Sequence, residues 1–228
     1  GAEPPRCQEL ARIFVFVKNE SVNLNRSGCN IQCVLIYCFC SILELQGAES
    51  MVIRKARQED INAVERLYDA IHTAEENGEK TIGWNRGIYP VRTTAENALK
   101  RDDLFVLEEA GEVCGTGIIN QIQVESYKQG NWEYDAEDSQ VCVLHTLVIA
   151  PDQAGKGYGR AFLAYYEKYA AENGCPELRI DTNAKNAAAR AMYKKHGYKE
   201  VGIIPTDFNG IPGIELVLLE KYIGKRNN

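Results

Sequence analysis

The sequence lacks both an excess of positive charge and a hydrophobic run long enough to cross a membrane. Its 26 lysines and arginines are outnumbered by 32 aspartates and glutamates, which gives a net charge of −6. An acidic chain is a poor candidate for general nucleic-acid binding, which needs a basic surface. The apolar run CVLIYCFCSILEL, residues 33–45, is shorter than the ~20 residues of a spanning helix. We therefore expect neither nucleic acid nor membrane among the partners.

Histidine is also scarce, since the chain has three histidines beside eight cysteines. Five cysteines lie near the start without the neighbouring histidines or the paired spacing of a zinc site, namely Cys7, Cys29, Cys33, Cys38 and Cys40. No metal site is therefore predicted. The other three, Cys114, Cys142 and Cys175, are widely spaced, as in a domain kept reduced in the cytoplasm, where we expect this protein.

The composition of the chain changes near Met51. Residues 1–50 hold the apolar run and no periodic helix beside it, whereas MVIRKARQED, residues 51–60, reads as a strand followed by a helix start. We expect residues 1–50 to be an N-terminal extension that is non-native or dispensable. Residues 51–228 are expected to form one domain.

The pattern from Met51 onward predicts an α/β or α+β fold with a partly antiparallel sheet, in the order β-α-α-β-β-β-α-β-α-β-β. Helices are predicted over 58–72, 94–101, 157–173 and 186–197, with Thr94 as an N-cap. Strands are predicted over 52–56, as a hairpin over 103–124, as a nearly continuous apolar strand over 141–151, over 177–182, and as two closing strands.

A glycine-rich stretch, QAGKGYGR at residues 153–160, joins the apolar strand to a helix. Glycines let a ligand approach the backbone, and the first N–H groups of the helix are free to bind a phosphate. The stretch is not a P-loop, because Lys156 is followed by Gly157. The final spacing is also too short for the dinucleotide-binding fingerprint. A turn without any ligand remains an alternative at this point.

The surrounding segments resemble the GNAT superfamily of N-acetyltransferases. Residues 143–174, VLHTLVIAPDQAGKGYGRAFLAYYEKYAAENG, resemble its acetyl-CoA signature, and NAAARAMYKKHGY, residues 186–198, resembles its second signature. The resemblance covers about residues 52–222. It implies a mixed, mostly antiparallel central sheet flanked by helices and splayed at the strands that bind acetyl-CoA. One position departs from the signature: Ala154 stands where the family has Gln or Arg, and Gln153 comes one residue early.

The resemblance implies an acetyl-CoA-dependent N-acetyltransferase that transfers an acetyl group directly to a primary amine of a small molecule or an exposed peptide. The alternative is a non-catalytic acyl-CoA-binding sensor or regulatory module on the same fold. A homodimer is a further expectation, because many relatives dimerise. The resemblance assigns the binding of acetyl-CoA to Leu147, Val148, Ile149, Ala154, Gly155, Lys156, Gly157, Tyr158, Gly159, Arg160, Asn186 and Ala189.

Two residues are assigned to catalysis by resemblance. Tyr193 matches the position that protonates the departing thiolate, although it could instead pack in the core. His145, in the sequence LHTL, resembles the L-H-x-L histidine of arylalkylamine N-acetyltransferases, which helps to deprotonate the amine; a core histidine is the alternative. Strand alternation places His145 on the face of Leu147. Asp181 and Glu133 are second candidates for the base.

Aromatic residues on two polar loops are candidates for the acceptor pocket, because loops lie at the surface and carry function. A small satellite core under the loops is the alternative. The acidic run at 133–138 would suit a cationic amine or could be solvated. The first aromatic loop holds the candidate substrate-binding residues Trp84, Arg86 and Tyr89, and the second aromatic loop holds Tyr127, Trp132 and Tyr134. Asp181 is a further candidate, and Phe208 belongs to a possible third wall.

Overall fold

The structure, a computed structural model, describes residues 51–224. The helices are α1 (Ile61–Glu76), α2 (Arg92–Lys100), α3 (Tyr158–Glu172) and α4 (Ala187–Lys195). The strands are β1 (Val52–Lys55), β2 (Leu104–Glu109), β3 (Glu112–Asn120), β4 (Val141–Ile149), β5 (Glu177–Asn183), β6 (Lys199–Phe208) and β7 (Ile211–Tyr222). The expected N-terminal extension, with its five cysteines, lies outside the described residues and stays a prediction.

The seven strands form one mixed sheet in the order β1-β2-β3-β4-β5-β7-β6. Strands β4 and β5 are parallel, and all other neighbours are antiparallel. The predicted element order and fold class are confirmed. Within residues 51–224, no helix combines the length and the apolarity needed to cross a bilayer.

The helix start predicted at Thr94 was wrong. Helix α2 begins two residues earlier, with Val91 as its N-cap. The Thr94 hydroxyl instead accepts a hydrogen bond from the Val91 backbone N–H at 3.1 Å. Thr94 therefore acts from the third helical position back onto the cap, which is the reverse half of a capping box.

The sheet buries side chains on both faces. In β2, Leu104 and Val106 pack with α1 and α2 on one face, and Phe105 and Leu107 pack with α3 on the other. This two-sided burial explains why the strands read as continuous apolar runs rather than as an alternation.

A bulge interrupts β4 at its centre. Ile118 of β3 pairs with His145, and Thr116 pairs with Val148. Two residues of β4, Thr146 and Leu147, therefore lie opposite the single residue between Thr116 and Ile118. Thr146 adopts a positive φ of 51°, as the extra residue of such a bulge often does.

The bulge shifts the alternation of β4 by one residue. Leu147 packs with the core on the α3 face, together with Leu144, and Val148 packs with Ile118 on the opposite face. Since Ile118 is also the partner of His145, the expectation that Leu147 shares the face of His145 was wrong. An inserted residue changes the face of every following side chain.

Strands β4 and β5 separate beyond the first half of their length. Their pairing ends at Leu144 and Ile180, although β4 continues to Ile149 and β5 to Asn183. The splay implied by the sequence resemblance is therefore present, and it opens a gap in the middle of the sheet.

A pair of buried carboxyl groups lies near the start of β5, where the pairing with β4 is intact. Glu177 and Glu220 are 0% and 1% exposed, and Arg179 donates to Glu177 Oε1 at 3.4 Å. Burial, and then the neighbouring Glu220, raise the pKa of Glu177 to about 8. Glu177 is therefore protonated over most of the neutral range and can donate a hydrogen bond to Glu220.

The proton held by Glu177 makes the free energy of unfolding depend on pH. The folded state binds more protons than the unfolded state between the ordinary glutamate pKa and about 8, so stability falls as pH rises through that window. In Glu177→Gln, which keeps a donor at this position, we expect the fall to be smaller. Urea unfolding at several pH values would measure it, with Glu125→Gln on the exposed surface as control. An unchanged slope in Glu177→Gln would contradict the shared proton.

Candidate active site

A cavity of about 440 Å³ opens where β4 and β5 separate. It brings together residues from helices, strands and loops that are far apart in the sequence. The sequence-predicted residues that line it are Trp84, Tyr89, His145, Leu147, Val148, Ile149, Gly159, Asp181, Asn186, Ala189 and Tyr193. Phe208 and Asn209, from the end of the sheet, complete the wall.

The glycine loop leads into helix α3. Gly155 and Gly157 have positive φ angles of 84° and 87°, which an L-residue adopts only with strain. A Cβ built on Gly155 would meet nothing within 4 Å, and one on Gly157 would meet only the Arg160 guanidinium at 3.7 Å. The backbone of this loop is therefore open to a ligand.

The N–H groups of this loop divide into two sets. Ala154 and Lys156 donate within the turn, to Pro151 O at 3.2 Å and to Gln153 O at 3.4 Å. The N–H groups of the first turn of α3, Tyr158 to Arg160, precede the first bond of the helix, from Ala161 to Gly157 O. Such free donors at a helix N-terminus fit a phosphate or pyrophosphate. The turn bonds leave Ala154 and Lys156 less available for this task than the sequence implied.

The third glycine of the loop has a different role. A Cβ on Gly159 would lie 2.9 Å from the Met192 sulfur. Gly159 therefore leaves room for the flexible end of the Met192 side chain of α4, where the sequence alone suggested only a contact with the ligand.

Tyr193 projects from α4 into the cavity and packs its ring edge-on against Tyr198 at 6.0 Å. Burial, and then the charge of Asp181, raise the pKa of Tyr193 well above its ordinary value, so the phenol keeps its proton. Asn186 caps α4, since its Oδ1 accepts from the Ala189 N–H at 3.1 Å. Both predicted residues are thus structural members of α4 that also face the cavity.

His145 is held in one tautomer. Its Nε2 lies 3.2 Å from Asn120 Oδ1 and 3.1 Å from Ile122 O. The Asn120 amide is oriented by its own NH₂, which donates to Asp103 Oδ2 at 2.8 Å. Because both neighbours of Nε2 are acceptors, Nε2 carries the proton and Nδ1 keeps a lone pair. Burial lowers the pKa of His145 to about 4.

Asp181 lies beside this lone pair. Its Oδ2 is 3.9 Å from His145 Nδ1 and accepts a hydrogen bond from the Tyr127 hydroxyl at 2.9 Å. Burial raises the pKa of Asp181 to about 6, and the bond from Tyr127 opposes the rise. The sequence named Tyr127 only as an aromatic of the second loop and did not name Asn120, because both lie outside the two signatures and no local pattern places them in this cluster.

The first aromatic loop supplies two of its three candidates to the cavity. Trp84 and Tyr89 line it and meet edge to face with centroids 5.9 Å apart, and the Tyr89 hydroxyl bonds to Thr146 Oγ1. Arg86 does not line it. Its guanidinium lies on the surface, where it pairs with Glu76 at 2.8 Å and Asp69 at 3.1 Å.

The second aromatic loop packs elsewhere, which corrects its proposed place in the acceptor pocket. Trp132 donates from Nε1 to Tyr127 O at 2.6 Å and is covered by the Arg179 guanidinium at 4.0 Å. Tyr134 stacks on Tyr222 with centroids 4.4 Å apart. Neither lines the cavity found in residues 51–224, so the satellite-core alternative describes this loop.

Glu133, a second candidate for the base, is also outside the cavity lining. Its carboxylate accepts from Lys199 at 2.7 Å on the surface, and its backbone N–H donates to Glu220. Asp181, the other second candidate for the base, does line the cavity.

Comparison with known proteins agrees with this geometry. Residues 61–198, more than half of the chain, match the model of the acetyltransferase (GNAT) family. The protein therefore belongs to the GNAT family, whose members are acyltransferases.

Individual relatives and solved structures that resemble the chain also bear the name of an acetyltransferase. An uncharacterized N-acetyltransferase of Bacillus subtilis, YhfO, is 28% identical over 157 residues, which cover 69% of this chain and 71% of that protein. A GNAT-family acetyltransferase structure from Streptococcus agalactiae has a TM-score of 0.65 at 23% identity, over 77% of this chain and 96% of that chain. The protein YncA from Salmonella typhimurium, solved with its cofactor acetyl-CoA, has a TM-score of 0.54 at 20% identity, over 78% and 97%. These structures share the fold.

The glycine loop gives a testable prediction. Gly157→Ala forces an L-residue to a φ of 87°, and we expect it to lower the free energy of unfolding by about 1–2 kcal/mol. Gly202→Ala is the matched control, because its new methyl would meet Ile204 at an ordinary 3.5 Å. Urea unfolding would compare the two variants. Equal stabilities would show that the loop can change conformation at no cost.

Proposed function

We propose that this protein transfers an acetyl group from acetyl-CoA to a primary amine of a small molecule or an exposed peptide. The main support is the cavity at the splayed strands, which combines a protonated tyrosine, a buried carboxylate and a neutral histidine with the first turn of α3. Family membership and the binding of acetyl-CoA by YncA agree with the proposal.

The residues present fit acetyl-CoA. Beyond Leu144, β4 has no pairing with β5, so the backbone of Leu147 to Ile149 is free on that side to bond the amides of the pantetheine arm. The open backbone at Gly155 and Gly157 and the free N–H groups of α3 suit the pyrophosphate. Lys156 and Arg160 add positive charge beside it. When bound, acetyl-CoA supplies an activated acetyl thioester.

Tyr193 is the proposed general acid, because its hydroxyl faces the cavity and keeps its proton at neutral pH. The proposed role of His145 is to hold the amine through the lone pair on Nδ1. Since burial lowers the pKa of His145 to about 4, its imidazole stays neutral under ordinary conditions. Trp84, Tyr89 and Phe208 form the walls around the acceptor.

The setting of the reaction is a further part of the proposal. Cys114, Cys142 and Cys175 are free thiols and buried, which suits the reducing cytoplasm. A homodimer stays a prediction, and gel filtration with light scattering would test it.

An acyl-CoA sensor on the same fold would bind acetyl-CoA without turnover. The location of Tyr193 and Asp181 in one cavity favours an enzyme, because binding alone needs neither an acid nor a base. Thiol release from acetyl-CoA with a panel of primary amines would separate the two functions. Tight binding of acetyl-CoA without thiol release for any amine would favour the sensor.

Tyr193→Phe tests the assigned acid. Loss of the hydroxyl removes the proton for the departing thiolate, and we expect kcat to fall by about 10²-fold with little change in acetyl-CoA affinity. Tyr198→Phe is the matched control, since this neighbouring buried tyrosine lies outside the cavity lining. Steady-state kinetics would measure both variants. If the two kept the same kcat, Tyr193 would be a packing residue.

A further inference from the structure

Two hydrogen-bond acceptors face each other in the cavity. One is Nδ1 of His145, whose lone pair is fixed because Nε2 carries the proton. The other is Oδ2 of Asp181, 3.9 Å away. The Tyr127 hydroxyl donates to Oδ2 of Asp181 and so uses one lone pair of that oxygen. Neither acceptor has a proton to donate to the other, and at 3.9 Å the two are close enough to bond one donor group between them.

The complementary group carries at least two N–H donors on one atom. A primary ammonium has three, so two can bond the acceptors while the third stays free. A quaternary ammonium has the charge without the donors, and an alcohol has one donor without the charge. The pair of acceptors, Nδ1 of His145 and Oδ2 of Asp181, forms a two-acceptor niche. This niche distinguishes a primary ammonium from a quaternary ammonium and from an alcohol, which a pocket that is only acidic or only polar would not do.

We propose that Asp181 and His145 bind the acceptor as its primary ammonium ion, that Asp181 takes its first proton, and that Tyr127 and Asn120 are the positioning residues of this pair. The inference rests on the proposed function and specifies how its acceptor is recognised. In the proton step an N–H bond of the ammonium breaks and an O–H bond forms on Asp181. The amine is left with its lone pair, and the neutral carboxyl later returns the proton to water.

The surroundings of the pair decide which member takes the proton. Asp181 accepts from the Tyr127 hydroxyl and lies 3.9 Å from Nδ1 of His145. Its charge also raises the pKa values of Tyr89 and Tyr193. With a pKa of about 6, its carboxylate is a stronger base than His145, whose pKa is about 4.

Two charges near His145 act on its pKa in opposite directions. Asp103 raises its pKa and Arg101 lowers it, and these two residues pair with each other at 2.8 Å. Burial therefore dominates, and it keeps the imidazole neutral while the carboxylate beside it accepts a proton.

The rest of the lining restricts the acceptor to one charge. Arg101, the cation among the described lining residues, is neutralised by Asp103, which leaves Asp181 as the net charge of the cavity. Trp84, Tyr89 and Phe208 surround it with apolar surface. The acceptor class that fits is a primary monoamine with an apolar body.

Binding to the wild-type protein tests recognition without any variant. Isothermal titration at pH 7.5 would compare hexylamine with 1-hexanol, hexyltrimethylammonium and 1,6-diaminohexane. We expect hexylamine to bind at least about tenfold more tightly than each of the others, since each lacks the donors, the charge or the apolar end. Equal affinity for hexylamine and hexyltrimethylammonium would overturn the two-acceptor niche.

The pH dependence of kcat/KM for hexylamine tests the proton acceptor and its positioning residue. For the wild type we expect a rise with a midpoint near 6, because the carboxylate form of Asp181 appears there. Asp181→Asn should lose this limb and about 10²-fold of kcat/KM. Tyr127→Phe should move the limb to higher pH, because the lost hydrogen bond had lowered the pKa of Asp181.

Tyr134→Phe is the matched control, since Tyr134 lies outside the cavity and stacks on Tyr222. A Tyr127→Phe limb at the wild-type pH, in a protein of unchanged melting temperature, would overturn the positioning role. A limb that survives in Asp181→Asn would assign the proton to another group. Acetyl-CoA binding is measured separately: its failure would overturn the proposed function, whereas transfer at full rate by Asp181→Asn would overturn this inference alone.

Discussion

The site depends on the point where β4 and β5 stop pairing. Beyond Leu144 and Ile180 the two strands part, yet each keeps its other neighbour: β4 stays paired with β3 as far as Ile149, and β5 with β7 as far as Asn183. The gap is therefore bounded on both sides by strands that keep a paired neighbour, and loop residues such as Trp84 and Tyr89 complete its lining. A cavity with such walls holds its side chains in fixed positions, which is what chemistry between two bound substrates requires. The bulge at Thr146 lies at the beginning of this gap, immediately after His145.

Burial within the gap is the first cause of the pKa shift of every group that the proposed chemistry uses. Low polarity disfavours the charged form, so it raises the pKa of a carboxyl or a phenol and lowers that of an imidazole. One physical cause therefore gives a protonated Tyr193, a neutral His145 and an Asp181 that titrates near 6. The usual order of base strength between histidine and aspartate is reversed, because burial outweighs the hydrogen bonds with Tyr127 and Ile122 that oppose the two shifts.

Motifs confined to one element could be read from the sequence, and contacts between distant elements could not. The strand, the glycine loop and α4 were predictable, together with His145 and Tyr193, because their spacing is local. The face of Leu147 was mispredicted because a single inserted residue at Thr146 leaves no trace in an apolar run. Trp132 was predicted to line the pocket because the sequence does not distinguish an aromatic loop residue that packs in a core from one that contacts a ligand. Tyr127 reaches Asp181 across 54 positions, a contact that no local pattern encodes.

The three glycines of the loop between β4 and α3 have different surroundings. Gly155 and Gly157 leave the backbone open towards a ligand, whereas a Cβ on Gly159 would lie 2.9 Å from the sulfur of Met192. Met192 directly precedes Tyr193 in α4, so the contact at Gly159 joins the anion-binding loop to the helix that carries the proposed acid. The Met192 thioether is the flexible end of its side chain, so a methyl at position 159 would be accommodated first by a change of the Met192 rotamer rather than by a shift of α4. The loop therefore lies between the proposed cofactor site and the proposed acid, with two glycines open to the ligand and one in contact with a side chain of α4.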